Sequence, residues 1–258
     1  MLRISGVCKG YGGGMFGSCR KQILKDITFT VGEEECVALI GESGCGKSTL
    51  ARLILGLEAC DSGQIICAGL TVTNRPRDRK ELYQKMQPVF QDSAGCLNPR
   101  MKIRDLICEP LRSFAGLSAQ EEQGELEKLL VLVELPLNIM DKYPHELSGG
   151  QQRRVCIARA ISIKPQFLIL DEAVSGIDAT ITKNILELLK KLQKEFGCGS
   201  LFITHDLQLA LYMAQKVLVM QDGQIVETVK NAMSGNDFST PYSKQLFRSS
   251  MLDCLRKK

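Results

Sequence analysis

The sequence has no Cys-x-x-Cys pair and only two histidines, His145 and His205. A zinc or nickel cage within the chain therefore lacks a ligand spacing to build on. No run approaches the roughly 18 apolar residues that would span a bilayer. The opening Met1-Leu-Arg-Ile-Ser-Gly-Val also lacks the charged-then-apolar order of a signal peptide. The chain is expected to be cytosolic, or at most peripheral to a membrane. Charge of one sign is scarce too: 33 Lys plus Arg against 29 Asp plus Glu leave a formal +4, too small and too scattered for a nucleic-acid binder. Internal repeats and low-complexity tracts are missing. What is there is 258 residues, 44% hydrophobic, enough to bury one large domain or two small ones. Eleven cysteines, an odd number, cannot close into a complete disulfide set, so they read as reduced thiols, several of them small buried hydrophobes.

Patterning separates the chain into strand-rich and helix-rich stretches. Leu2, Ile4 and Val7 alternate, a Gly-rich turn spans Gly10 to Gly17, and Ile27-Thr-Phe-Thr-Val reads as a further strand. Cys36-Val-Ala-Leu-Ile is a continuous apolar run, the mark of a parallel strand buried on both faces. A glycine loop follows it, and then Leu50-Ala-Arg-Leu-Ile-Leu predicts a helix. From about 95 to 160 the character is helical, with Leu126, Leu129, Leu130 and Val133 on one face. Phe167-Leu-Ile-Leu returns to the buried-strand pattern. A helix carries Ile181, Ile185, Leu188, Leu189, Leu192 and Phe196 and stops at Gly197, and Leu201-Phe-Ile-Thr makes another strand. Strands alternating with helices predict an α/β core with a mainly parallel sheet. After about 228 the tail is polar and weakly patterned.

Three motifs carry chemistry. Gly41-Glu-Ser-Gly-Cys-Gly-Lys-Ser-Thr49 fits G-x-x-x-x-G-K-S/T between a predicted strand and a predicted helix. Gly41, Ser43, Gly44, Cys45 and Gly46 would turn backbone N–H groups inward as an anion nest, with the helix N-terminus aimed at phosphate. Lys47 adds a point charge toward the β and γ groups, Ser48 a hydroxyl for Mg²⁺, and Thr49 a further phosphate contact. Cys45, at a helix N-terminus, is a candidate for thiol modification or simply a tolerated side chain. Asp171 and Glu172 end a buried strand, where ligands bind in open α/β sheets. Asp171 would hold Mg²⁺, and Glu172 would act as general base or positioning group for the attacking water. Leu147-Ser-Gly-Gly-Gln-Gln152 supplies a second small-residue loop before a helix expected over Arg153 to about Ile163. One chain thus carries two phosphate-grade sites, which suggests that the second serves the nucleotide of another copy.

Here the sequence resembles the ATP-binding cassette ATPases, and the resemblance runs in order over nearly the whole chain. It implies a P-loop NTPase cassette: a RecA-like parallel-sheet core, an N-terminal antiparallel β-subdomain and a helical subdomain. It implies that two cassettes pair head to tail, with Ser148, Gly149 and Gly150 of one chain closing on ATP held by the other. Tyr11 resembles the adenine-stacking aromatic, Gln91 the glutamine that touches Mg²⁺ and relays to the membrane partner, and His205 the switch histidine near the γ-phosphate. Asp178 matches the aspartate after the carboxylate pair, although Ser175-Gly-Ile-Asp and Ala173-Val174 depart from the usual residues. His145 matches no role. The lack of an N/T-K-x-D string favours ATP over GTP.

Val89-Phe-Gln-Asp-Ser93, Asn98-Pro-Arg100, Glu109-Pro110 and Thr240-Pro-Tyr-Ser-Lys resemble the peptide, opine and nickel importer subfamily. Leu170-Asp-Glu-Ala-Val-Ser175 and Gln224-Ile-Val-Glu-Thr228 look most like its nickel-import ATP-binding subunits. The implied arrangement is a single cassette with its core at about 1–94 and 161–228, a helical subdomain at about 95–160 and a tail at about 229–258. Implied partners are a second ATPase subunit, alike or different, transmembrane permease subunits, and through them an extracytoplasmic substrate-binding protein. The chain would sit peripherally at the cytoplasmic face of the cell membrane. The alternatives are a di- or oligopeptide importer ATPase and a cassette ATPase outside transport.

Overall fold

Alternating apolar residues build the first sheet. The computed structural model describes residues 1–12, 20–90, 93–175 and 178–256. In it, strand β1 (Leu2–Tyr11) buries Leu2, Ile4 and Val7 and turns Arg3 and Ser5 outward. Strand β2 (Lys21–Val31) pairs with it antiparallel, from Leu2 opposite Val31 to Tyr11 opposite Lys21. Strands β4 (Ser62–Cys67) and β5 (Leu70–Thr71) complete an antiparallel sheet of order β2-β1-β4-β5.

Continuous apolar runs build the second sheet. All five residues of β3 (Cys36–Ile40) are buried. The strand lies between β8 (Gly199–Ile203) and β9 (Lys216–Gln221), within the order β10-β9-β3-β8-β7-β6. The others are β6 (Met86–Phe90), β7 (Phe167–Asp171) and β10 (Gln224–Lys230). Every neighbouring pair is parallel except β10 with β9. A strand covered on both faces keeps no polar side, which is why these runs lose alternation. Because β3, β8 and β7 are parallel neighbours, the loops leaving their C-terminal ends open onto one edge.

Helix α1 (Lys47–Ile54) follows the loop after β3 and starts at Lys47, three residues ahead of the apolar run that announces it. Helix α2 (Pro76–Lys85) begins with proline at its first position, where no N–H partner is needed. Between β6 and β7 come α3 (Ser93–Cys96), α4 (Ile103–Phe114), α5 (Ala119–Leu132) and α6 (Gly149–Ile161). Leu126, Leu129 and Leu130, with Val133 just past the end of α5, are buried in one cluster with the sheet's residues. Helix α6 starts at Gly149 instead of Arg153. The Ser148 side chain accepts the Gln151 N–H, and Gln151 reaches back to the Ser148 N–H, so this capping box draws both glycines into the first turn. Helix α7 (Ala179–Phe196) is capped by Asp178, which accepts the Thr180 N–H at 2.9 Å, and ends at Gly197 with φ 63°. Helix α8 (Leu207–Met213) follows β8.

The tail differs from its weak patterning. A helix, α9 (Pro241–Arg256), forms there. Thr240 Oγ1 accepts the Ser243 N–H at 3.1 Å, and Tyr242, Leu246 and Phe247 pack against the main core. Among the described side chains of α9, these three apolar residues do not make a periodic stripe. Among the described side chains, Cys8, Cys36, Cys45, Cys60, Cys67, Cys108 and Cys198 are free thiols. Burial pushes the thiols of Cys36, Cys67 and Cys198 up to about 11 and that of Cys108 up to about 12, as befits small hydrophobes.

Candidate active site

The loop leaving β3 is packed too tightly for side chains at Gly41 and Gly46. A Cβ on Gly41 would lie 2.3 Å from the Met220 carbonyl oxygen and 2.8 Å from Cys45 Sγ. Gly46 has φ 115°, and a Cβ there would meet Leu24 and Met220 at 2.8 and 2.9 Å. Lys47 is buried at the head of α1, where its Nζ donates to the carbonyls of Gly41 (2.7 Å) and Glu42 (2.8 Å) and lies 3.7 Å from Cys45 Sγ. A buried lysine bonded to neutral carbonyls at a helix N-terminus keeps its positive charge available to an anion entering the loop.

Two strands away, β7 delivers Asp171 and Glu172. Asp171 pairs in register with Ile203 of β8 and Phe90 of β6. Burial, with Glu172 beside it, raises its carboxyl above the usual carboxylate range, while Lys47 pulls the other way. Glu172 sits in the left-handed region at φ 48°, tied by its N–H to the Ile203 carbonyl at 2.9 Å. That twist turns its side chain to the loop after β8, where Oε1 lies 3.3 Å from Nδ1 of the exposed His205.

Tyr11 ends β1. Its hydroxyl donates to the Glu58 carboxylate, whose other oxygen accepts from Arg52 Nε at 2.7 Å. These bonds, Tyr11 first, hold the Glu58 carboxyl below its ordinary range despite its burial. Lys9 Nζ lies 5.2 Å from the Tyr11 ring centroid. Arg52 also reaches Thr49 Oγ1 at 3.4 Å, so side chains connect the ring to the glycine loop. Neither Glu58 nor Arg52 carries a sequence signal of this role.

The structure brings Tyr11, Ser43, Gly44, Gly46, Lys47, Ser48, Thr49, Glu172 and His205 onto one cleft of about 570 Å³. Ser148, Gly149 and Gly150 do not line it. Gln91 lies outside the described residues, as do residues 13–19 of the Gly-rich turn and Gly176 and Ile177. His145 is exposed, its ring stacked on Tyr143 at 5.8 Å. A more apolar cleft of about 430 Å³ lies between β6, α4 and α6, lined by Phe90, Pro110, Phe114 and Arg159 among others.

A glycine loop and lysine between a central parallel strand and a helix, with a carboxylate pair on a nearby strand end, define the class: a P-loop nucleoside triphosphatase of the cassette type. The family model described as ABC transporter matches residues 24–175, more than half of the chain. The chain belongs to the ABC transporter ATP-binding family, whose cassettes bind and hydrolyse ATP. It is 47% identical over 216 residues to the nickel import ATP-binding protein NikE of Brucella suis, covering 83% of this chain and 81% of that one. To the NikE of Escherichia coli it is 46% identical over 232 residues, 88% of this chain and 86% of the other. Among solved structures, the dimeric post-hydrolysis state of the ATP-binding cassette MJ0796 bound to ADP and Pi superposes with a TM-score of 0.80 at 28% identity, covering 90% of this chain and 99% of that one. The cbiO1 cassette of Clostridium perfringens, part of the cbiONQ transporter complex, gives 0.79 at 25% identity, covering 100% and 94%.

Proposed function

We propose that this chain is the ATP-hydrolysing subunit of an importer for nickel or a nickel–metallophore complex. The observation that carries the reading is its 46–47% identity, over more than four-fifths of its length, to nickel import ATP-binding proteins. No helix among the described residues is long and apolar enough to cross a membrane. As such a subunit the chain works as a motor at the cytoplasmic face, beneath separate permease chains that an extracytoplasmic binding protein loads.

In this mechanism ATP enters the cleft with its adenine on the Tyr11 ring and its phosphates in the Gly41–Gly46 loop. Lys47, anchored on the Gly41 carbonyl, directs its charge to the β and γ groups, and Thr49 adds a contact. Ser48 and Asp171 offer hard oxygen donors, and an Asp171 carboxyl raised by burial and by Glu172 is the environment a divalent cation relieves. Mg²⁺ would be held between these donors and the phosphates of the nucleotide, with Gln91 as a further ligand. When bound it supplies charge neutralisation at the phosphates. Glu172 orients and deprotonates the attacking water, and His205, already beside Glu172, faces the γ-phosphate. Ser148, Gly149 and Gly150 close on the ATP of a second cassette, so two chains share two nucleotides. ATP thus joins the pair and hydrolysis parts it, a bistable interface that drives the permeases.

Reconstitution with candidate permeases and their binding protein tests the substrate. Binding protein loaded with nickel or its chelate is expected to stimulate ATP hydrolysis and nickel uptake into vesicles. Stimulation by dipeptide alone would overturn the nickel reading.

A further inference from the structure

The peptide unit joining Gly41 to Glu42 is held from both sides. Its carbonyl, on Gly41, accepts from Lys47 Nζ at 2.7 Å, and its N–H, on Glu42, donates to the Tyr242 hydroxyl at 3.2 Å. A trans peptide is planar with these two groups pointing in opposite directions, so the bonds on its two ends fix one orientation and polarise each other. Lys47 is the loop's own residue. Tyr242 comes from α9, two hundred positions along the chain.

The tyrosine is itself anchored. Glu227 of β10 accepts from the Ser239 N–H at 2.6 Å and its hydroxyl at 2.7 Å, and from the Thr240 hydroxyl at 2.8 Å. Thr240 Oγ1 lies 2.6 Å from the hydroxyl of Ser243, which is 1% exposed. Burial would raise the Glu227 carboxyl, but bonds from Ser243, Ser239 and Thr240 hold it down to about 2, so the clamp is ionised at neutral pH. This small polar lock sets the first turn of α9, and with it Tyr242, against the phosphate loop. Burial raises the Tyr242 phenol above its ordinary value, so its hydroxyl is uncharged and can accept the Glu42 N–H.

We propose that Tyr242 is a positioning residue for ATP: it holds the Gly41–Glu42 peptide from behind and so keeps the phosphate loop and Lys47 set for the nucleotide. The tail then takes part in substrate binding through the loop without touching substrate. This inference rests on the phosphate-loop reading of Gly41–Lys47, and the test separates the two.

Steady-state hydrolysis and nucleotide binding are measured on the full chain and on Tyr242→Phe, which removes one oxygen and keeps the ring packed. The KM and Kd for ATP are expected to rise about three- to tenfold, the factor that one ordinary hydrogen bond carries. The kcat should stay within about twofold and the melting temperature unchanged. Glu227→Gln, which weakens the lock, should move KM the same way by a smaller factor. In ¹⁵N spectra the Glu42 amide should shift in Tyr242→Phe. A wild-type KM and Kd in Tyr242→Phe overturns the proposal, and so does a lower melting temperature with KM unmoved, since that is a packing role alone. Lys47→Ala is the companion: if it binds ATP normally, the phosphate-loop reading and the proposal both fail. If it loses ATP while Tyr242→Phe does not, only the proposal fails.

Discussion

Two helix N-termini in this chain carry glycine-rich sequences, and their surroundings are opposite. At the head of α1, two of the three glycines are forced by packing: a Cβ on Gly41 would run into the Met220 backbone, and one on Gly46 into Leu24 and Met220. At the head of α6, among the described residues, a Cβ on Gly149 would meet nothing within 4 Å, and one on Gly150 the Ile181 side chain, at 3.2 Å. The first loop is also furnished, with a buried lysine, two carboxylates, a histidine and a tyrosine on the same side of the sheet. The second has a serine that caps its own helix. Glycine costs helix stability relative to alanine, so the chain's own packing gives no reason for glycine at Gly149, which fits the proposed closure on a second copy's nucleotide. On the proposed mechanism, one terminus is half of a site and the other is the complementary half for a different copy.

Four experiments break or sharpen that contrast. The largest effect falls at the furnished end: Glu172→Gln should cut phosphate release by about 10²- to 10⁴-fold while ATP still binds and holds two cassettes together. Sizing of the ATP-bound variant reads the second part, and normal turnover would remove Glu172 from the site. Next come the paired glycine changes. Gly41→Ala should destabilise the fold by about 1–3 kcal/mol through the backbone clash, whereas Gly149→Ala should leave it unchanged or steadier by up to about 1 kcal/mol. Denaturant melts decide this, and in the assembled transporter Gly149→Ala should nonetheless lose hydrolysis. A smaller effect is pH-dependent. The folded Glu227 carboxyl, at about 2, lies below its ordinary 4.5, so its contribution is present above about pH 4.5 and lost as pH falls toward 2. Melting curves of Glu227→Gln should converge with wild type at the acid end and lie below it at neutral pH. The smallest is His145→Ala, an exposed ring stacked on Tyr143, which should shift stability by under about 0.5 kcal/mol and leave turnover alone.

Much of the furnished end is legible in the residues. Cys36–Ile40 and Phe167–Leu170 read as buried parallel strands because nothing polar interrupts them, and the loop and carboxylates follow at their C-terminal ends. The alternation in β1 and the apolar faces of α5 and α7 are equally plain. Other parts leave no local signal. Glu58 and Arg52 matter through their contact with Tyr11, more than forty positions away, and no spacing rule links them. The start of α6 is set by reciprocal Ser148–Gln151 bonds, which the two glycines disguise as a loop. Helix α9 hides because its docking face is a few residues held by polar groups on β10.

Glu172 occupies a backbone conformation that a side chain ordinarily pays about 1–2 kcal/mol to adopt. Its N–H bond to Ile203, and the Ser175 N–H bond to its carbonyl, hold it there. Any programme that selects variants by heat resistance alone will drift toward glycine or asparagine at this position and discard the carboxylate. Screens for a sturdier version of this motor must therefore score turnover in the same round.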